Sequence, residues 1–174
     1  MEPCIGTIGV APAEGSISTL VPADHGGNMD TRDVRAGTTL YLPVRTPGGM
    51  LAMGDGKAAM GDGEVCGTGV GVPLNILGRV SVLKQVPHAR PVLESAHEWQ
   101  TIASAPTLEG ATRLAVEDMI SLLNRSHGMT WVDGYMLCSL VGMLRISQVV
   151  DPQMTVRLAL DKRYTGALLP ALLS

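Results

Sequence analysis

Two short stretches of this chain concentrate side chains that could do chemistry. His25-Gly26-Gly27-Asn28-Met29-Asp30 combines an imidazole, a carboxamide and a carboxylate with two glycines that let the backbone approach a ligand closely. Asp55, Lys57, Asp62 and Glu64 then put three carboxylates and one ammonium within ten residues, interleaved with Gly54, Gly56, Gly61 and Gly63. In extended backbone, residues two apart share a face, so Asp62 is expected beside Glu64 and Asp55 beside Lys57. Carboxylates so close together are unfavourable unless they bind a cation or share a proton, which points to a hard-metal site or a general acid/base pair. Oxygen donors from Asn28 or the backbone would suit calcium, magnesium or manganese, and adding His25 would also suit zinc. The plainer alternative is a Gly-Asp-Gly turn between hairpin strands, since Asp hydrogen-bonds its own backbone. No spacing matches an EF-hand or a zincin helix.

Other candidates carry less. Cys66, two residues beyond Glu64, has no nearby base in sequence and reads as a small buried hydrophobe rather than a nucleophile. His88, His97 and His127 are scattered and suit surface or capping hydrogen bonds, while Trp99 and Trp131 read as packing residues. Gly67-Thr68-Gly69-Val70-Gly71 lacks the following helix that a phosphate-cradling loop needs.

The elements that must position these groups follow two patterns. Fifteen of the 21 glycines fall in the first 71 residues, where short apolar runs alternate with turn residues: Ile8–Val10, Ser18–Val21, Thr38–Val44, Met50–Met53, Glu64–Cys66 and Val70–Val72. Pro43 puts the end of the Thr38–Val44 strand at a sheet edge or bulge. Gly78–Lys84 alternates as a further strand, and a short one is expected at Gln100–Ala103. After Pro106 the period becomes helical. Val116, Met119, Ile120 and Leu123 share one face, Thr107 caps the start with Glu109 in the first turn, and Gly128 caps the end. Thr130, with Asp133 three residues on, opens a second helix through roughly Gln148, apolar over most of its surface and so expected in the interior. Asp151-Pro152 stops it, and Met154–Leu160 alternates like a closing strand. The fold class is therefore α+β: a mostly antiparallel, sandwich-like β-rich part over 1–106, holding the candidate site, and a helical hairpin with a closing strand over 107–174, packed on the same core.

Composition bounds the rest. A chain of 174 residues, 45% apolar, can bury a core, built here from aliphatic residues and ten Met because Phe is absent. A net charge of −3 with 17% charged residues offers no basic face for nucleic acid. Three widely spaced cysteines argue against a disulfide framework or a cysteine zinc site and favour a reducing, cytoplasmic setting, and neither a signal peptide nor a membrane span is expected. The apolar tail from Ala167 to Leu173 reads as docked on a core or on a second subunit.

Ile8-Gly9-Val10-Ala11-Pro12-Ala13, the His25–Asp30 segment, Leu40-Tyr41-Leu42-Pro43-Val44 and Gly61-Asp62-Gly63-Glu64-Val65-Cys66-Gly67-Thr68 occur in an order and spacing that resemble the acetamidase/formamidase family. Ala111–Ala115 and Gln148–Asp151 look like the same family's closing region, so the resemblance covers nearly all of residues 5–160. It implies a hydrolase that releases ammonia and a carboxylate from a small linear amide with the help of a divalent metal, zinc or calcium, usually as a homo-oligomer. On this resemblance Asp55, with His25 or Asp30, would hold the cation. Glu64 would take the water's proton and pass one to the leaving amine, and Asp62 or Asn28 would position it.

Three departures stand against the family pattern. Lys57 occupies the position of a histidine in the family's Gly-Asp-x-His-Ala-Ala pattern, and an ammonium has no lone pair for a metal. Gly71 stands where a Glu is expected, and the chain looks like the C-terminal part of the usual architecture. A degenerate or partial member acting as a subunit is thus the alternative expectation, with a separate chain supplying the remaining section. Exposed apolar edges would in either case favour assembly.

Overall fold

Strong local signals and long-range pairing divide the work of building this chain, whose computed structural model describes residues 1–84 and 88–168. In chain order the elements are β1 (Cys4–Gly9), β2 (Gly26–Asn28), β3 (Thr39–Tyr41), β4 (Ala52–Lys57), β5 (Val92–Glu94), β6 (Glu98–Ala105), α1 (Leu108–His127), α2 (Trp131–Val141), β7 (Met143–Gln148), β8 (Met154–Asp161) and the single turn α3 (Lys162–Thr165). They form an antiparallel three-stranded sheet, β2-β1-β4, and an antiparallel five-stranded sheet, β3-β5-β6-β8-β7. The α+β, β-rich expectation holds.

The five-stranded sheet is the middle layer. Strands β6 and β8 pair along their whole length, from Glu98 opposite Asp161 to Ala105 opposite Met154, so β8 from beyond residue 106 lies beside β6 from before it. Alternation sends Trp99, Ala103, Leu158 and Leu160 to one face, where they pack on Ala115, Met119 and Leu123 of α1. The opposite face sends Ile102 and Leu93 onto Met29 and Val34, with Ile5 and Ile8 of β1 against them, and this second core joins the two sheets. Leu168 is buried in the α1 core, while residues 169–173 of the apolar tail lie outside the described residues.

Helix α1 begins and ends where its caps dictate. Thr107 Oγ1 accepts from the Gly110 amide at 3.1 Å, and Gly128 takes the left-handed conformation at φ 64°. Thr130 caps α2 in the same way through the Asp133 amide.

Several expectations are corrected. The second helix ends at Val141 rather than near Gln148, because Met143–Gln148 pairs with the free edge of β8 (Met143 opposite Ala159, Ile146 opposite Val156), and the hydrogen bonds of that ladder replace further helical turns. Helix α2 is not interior either. Only Gly134 and Cys138 are buried; Trp131, Val132, Tyr135, Met136 and Leu140 are exposed, Leu140 at 80%. Trp99 is a core residue as expected, whereas Trp131 is exposed and stacks on Tyr135. Gly78–Lys84, Ser18–Val21 and Glu64–Cys66 form no strand, and Val70–Val72 contributes one isolated bridge, Gly71 to Lys57. Of Thr38–Val44, only Thr39–Tyr41 enters a ladder, as an edge strand consistent with Pro43. No helix among the described residues is long and apolar enough to cross a membrane.

Candidate active site

The site is built where the end of β4 meets β1, β2 and two loops. Pairing of β1 with β4 sets Cys4 opposite Lys57 and Thr7 opposite Gly54. The Lys57 side chain is only 4% exposed. Its Nζ donates to Asp30 Oδ1 at 2.5 Å, lies 3.0 Å from Asp55 Oδ2 and donates to Glu64 Oε1, with Met60 Sδ at 3.5 Å. The expected side-by-side placement of Asp55 and Lys57 is therefore present.

Convergence of these acids depends on the backbone. Asp30, Asp55 and Glu64 each adopt positive φ (46°, 56° and 41°), a region that costs about 1–3 kcal/mol for residues other than glycine and is typical of functional sites. Gly6 leaves the needed space: a Cβ there would come within 2.2 Å of Asp55 Oδ2 and 2.5 Å of Asp30 Oδ1.

Glu64 sits on a turn fastened to the five-stranded sheet. The Gly63 amide donates to Ile146 O at 2.9 Å, the Val149 amide donates to Gly63 O at 3.2 Å, and the Gly67 amide closes the turn on Glu64 O at 2.8 Å. β7 thereby carries the catalytic candidate to Lys57, a placement that a helix over the same residues could not provide. The loop after β7 brings in Asp151, a residue not among the expected site members. Asn28 Nδ2 donates to Asp151 Oδ2 at 2.9 Å, and Thr7 Oγ1 donates to Asn28 Oδ1. Asn28 thus orients a carboxylate. The only sequence signal for Asp151 was its place in the Gln148–Asp151 segment.

Charge is unevenly shared in this cluster. Burial pushes the Asp30 carboxyl up to about 8, with Glu64 and Asp151 pressing the same way and the Lys57 ammonium opposing. Burial also raises Asp151, against hydrogen bonds from Asp30 and Asn28. Burial alone would lower Lys57, but its hydrogen bonds to Asp30, Glu64 and Asp55 outweigh this and hold it as a firm ammonium above the usual lysine range. A cavity of about 510 Å³ opens over the cluster, with Thr7, Asn28, Asp55, Lys57, Glu64 and Asp151 on its wall.

Two expected members lie elsewhere. Asp62 does not share a face with Glu64, because Gly63 and Glu64 both take positive φ and turn the chain between them. Its carboxylate, 41% exposed, accepts from Arg157 Nη2 at 2.7 Å. Arg157, 1% exposed between the sheets, also donates through Nε to Asp33 Oδ2 at 2.9 Å and through Nη1 to Ser147 Oγ at 3.2 Å. Asp62 is therefore a partner of the buried arginine. His25 does not line the cavity: its Nε2 lies against the backbone of Gly27, 3.1 Å from where a Cβ would stand, and burial lowers its pKa. Cys66 is exposed rather than buried. His88 and His127 pair with backbone carbonyls of Arg90 and Thr165, the kind of hydrogen bond expected of them.

The residues present do not fit a divalent metal held by Asp55 with Asp30 or His25. Asp30, Asp55 and Glu64 converge on a point already filled by Lys57 Nζ, and no group of three or more His, Cys, Asp or Glu among the described residues is arranged to hold a metal ion.

Comparison with known proteins agrees with this motif-bearing core. Over 59 residues the chain is 46% identical to a formamidase of Methylophilus methylotrophus, covering 33% of this chain and 14% of that protein. It superposes on the crystal structure of an acetamidase from Bacillus halodurans with a TM-score of 0.85 at 37% identity, covering 96% of this chain and 58% of that one. A predicted acetamidase/formamidase from Thermoanaerobacter tengcongensis gives 0.86 at 40% identity, over 95% of this chain and 56% of that one. The chain thus spans little more than half the length of these solved relatives. The model of the acetamidase/formamidase family matches residues 5–163, taking in the Lys57 cluster, both sheets and α1, and the chain belongs to that family.

Proposed function

We propose that this chain carries out the hydrolysis of small linear amides of the formamide and acetamide type, releasing ammonia and a carboxylate. The observation that carries the reading is the Lys57 cluster, in which one ammonium and the acids Asp30, Asp55, Glu64 and Asp151 meet at an open cavity of about 510 Å³ in a chain of this family. Water attacks the amide carbonyl carbon, and Glu64 accepts its proton as the C–O bond forms. The C–N bond breaks as Glu64 returns that proton to nitrogen, so amide plus water gives acid plus ammonia. Lys57 supplies a fixed positive charge that favours the oxyanion on the carbonyl oxygen, and Asp30 holds that ammonium from its buried side. Asp55, part-exposed beside Lys57, faces the incoming amide, and Asn28 holds Asp151 toward the water. No step runs through a metal, because Nζ takes the position a cation would need.

The test is ammonia release from formamide and acetamide by the purified chain. Release that Glu64→Gln lowers by about a hundredfold or more supports the reading. Equal release by both proteins, or none by either, overturns it for this chain.

A second reading draws on the exposed apolar face of α2, which favours assembly: as a homo-oligomer, or as a subunit beside a separate chain, possessing the family's site without turning over substrate alone. Ammonia release only after such a partner is added would favour it. The free thiols of Cys4, Cys66 and Cys138 support a cytoplasmic setting for either reading.

A further inference from the structure

Residues 78–84 alternate polar and apolar side chains like a strand, and no hydrogen bond joins residues 73–84 to any other described residue. Val80 and Val82, which extended backbone sends to one side, are 72% and 79% exposed. The segment lines a second cavity, of about 1240 Å³, together with Ile5 and Ile8 of β1 and Leu40 of β3. Open backbone groups beside uncovered apolar side chains are a template for the addition of a strand.

Charge decides what kind of strand fits. Arg35, Arg45 and Arg79 line this cavity and no Asp or Glu does, in a chain whose net charge is −3. Arg35 meets Glu2, which lies off the lining, and Arg45 reaches the carbonyl of Ala89. A second copy paired here about a twofold axis would set the same arginines against each other with no acid between them, which disfavours it as the occupant. In an added strand, the side chains on one face meet Val80 and Val82 and those on the other meet Arg79, so the complement alternates apolar and acidic residues. Members of the family have polypeptide to spare for such a strand, since this chain covers 58% of the Bacillus halodurans acetamidase on which it superposes.

We propose that the groove beside residues 78–84 is a docking site for an extended polypeptide segment, from a section of the kind by which the solved relatives exceed this chain, that alternates apolar and acidic side chains and pairs its backbone with 78–84. This surface is separate from both the Lys57 cluster and the face of α2, and the inference rests on binding rather than on ammonia release.

The test uses two labelled peptides of about ten residues, one alternating valine with glutamate and one alternating valine with lysine, titrated into the purified chain by fluorescence anisotropy at low salt. The unmodified chain is expected to bind the glutamate peptide about tenfold or more tightly than the lysine peptide, and less tightly as salt is added. Val80→Asp and Val82→Asp change side chains that are already exposed, so the fold should tolerate them while binding of the glutamate peptide falls at least tenfold. Arg79→Glu should narrow or reverse the preference between the peptides, and Leu140→Glu on α2 should leave it unaltered. Hydrogen exchange should show the amides of 79–83 protected by the glutamate peptide. The proposal is overturned if the unmodified chain binds neither peptide, if Val80→Asp and Val82→Asp bind as it does, or if the peptide binds without protecting those amides. A dimer of the unmodified chain that Val82→Asp dissociates would make a second copy the occupant and overturn it equally.

Discussion

Asp62 and Glu64 stand two residues apart and serve different cations: Asp62 reaches Arg157 on β8, 2.7 Å away, and Glu64 meets Lys57 at the end of β4. The turn at Gly63 separates one acid that pairs with the buried Arg157 from another that faces the cavity. The two should therefore respond differently to mutation.

Removing Arg157 should be costly. Arg157→Ala leaves Asp33 without its main partner between the sheets, although burial alone would raise the pKa that Arg157 and Gln100 hold below the carboxylate range. Breaking a buried pair in this way costs about 3–5 kcal/mol. Asp62→Asn removes a carboxylate that is 41% exposed and should cost about 1 kcal/mol or less, with ammonia release within a few-fold of the unmodified chain. Urea denaturation of both variants checks the ranking, and an Asp62→Asn loss equal to that of Glu64→Gln would refute the division of labour.

Gly6→Ala should damage the site more than the fold. The added methyl would stand 2.2 Å from Asp55 Oδ2, so the carboxylates must move apart. Ammonia release should fall at least tenfold while far-ultraviolet circular dichroism stays unchanged; activity within twofold of the parent would mean that the Lys57 cluster is looser than its contacts indicate.

Stability should fall as pH rises from about 4 to 8 through Asp30. Its folded pKa of about 8 lies above the ordinary 3.8, so the native state binds more protons across that window, and the stability this represents is complete below the unfolded value and lost on passing the folded one. Asp118 and Asp151 are shifted upward as well, chiefly by burial, and add in the same direction. Asp33, shifted down, acts only in acid, and Lys57, shifted up, only in alkali. Asp30→Asn should flatten the urea midpoint between pH 5 and 8, and an unaltered slope would count against the assignment.

The uncovered face of α2 should mediate assembly. Leu140→Glu and Met136→Glu place charges on side chains 80% and 50% exposed, so the folded chain should tolerate them. Light scattering after size exclusion should show a smaller species than the parent, and a parent already monomeric at high micromolar concentration would exclude this role.

Local rules were enough for much of the chain. Thr107, Glu109 and Gly128 delimit α1, because caps and first-turn charges act within a few residues. The alternation of Met154–Leu160 delivers β8, and β6 extends the expected Gln100–Ala103 strand at both ends because β8 pairs with all of it. The same rules failed where neighbours decide. Met143–Gln148 is apolar enough for either a helix or a strand, and the open edge of β8 selects the strand. Gly78–Lys84 alternates like a strand but enters no ladder among the described residues.

By itself, the sequence determined that acids, one lysine and many glycines gather in two segments, that Lys57 stands among them, and which family those segments belong to. Only the tertiary structure decided which acid meets which cation. Lys57 finds Asp30 across 27 residues, Arg157 finds Asp62 across 95, and Asp151 reaches Asn28 across 123. Side-chain spacing carries information over one strand or one helical turn, whereas a buried charge is satisfied by whatever group the packing of two sheets brings to it.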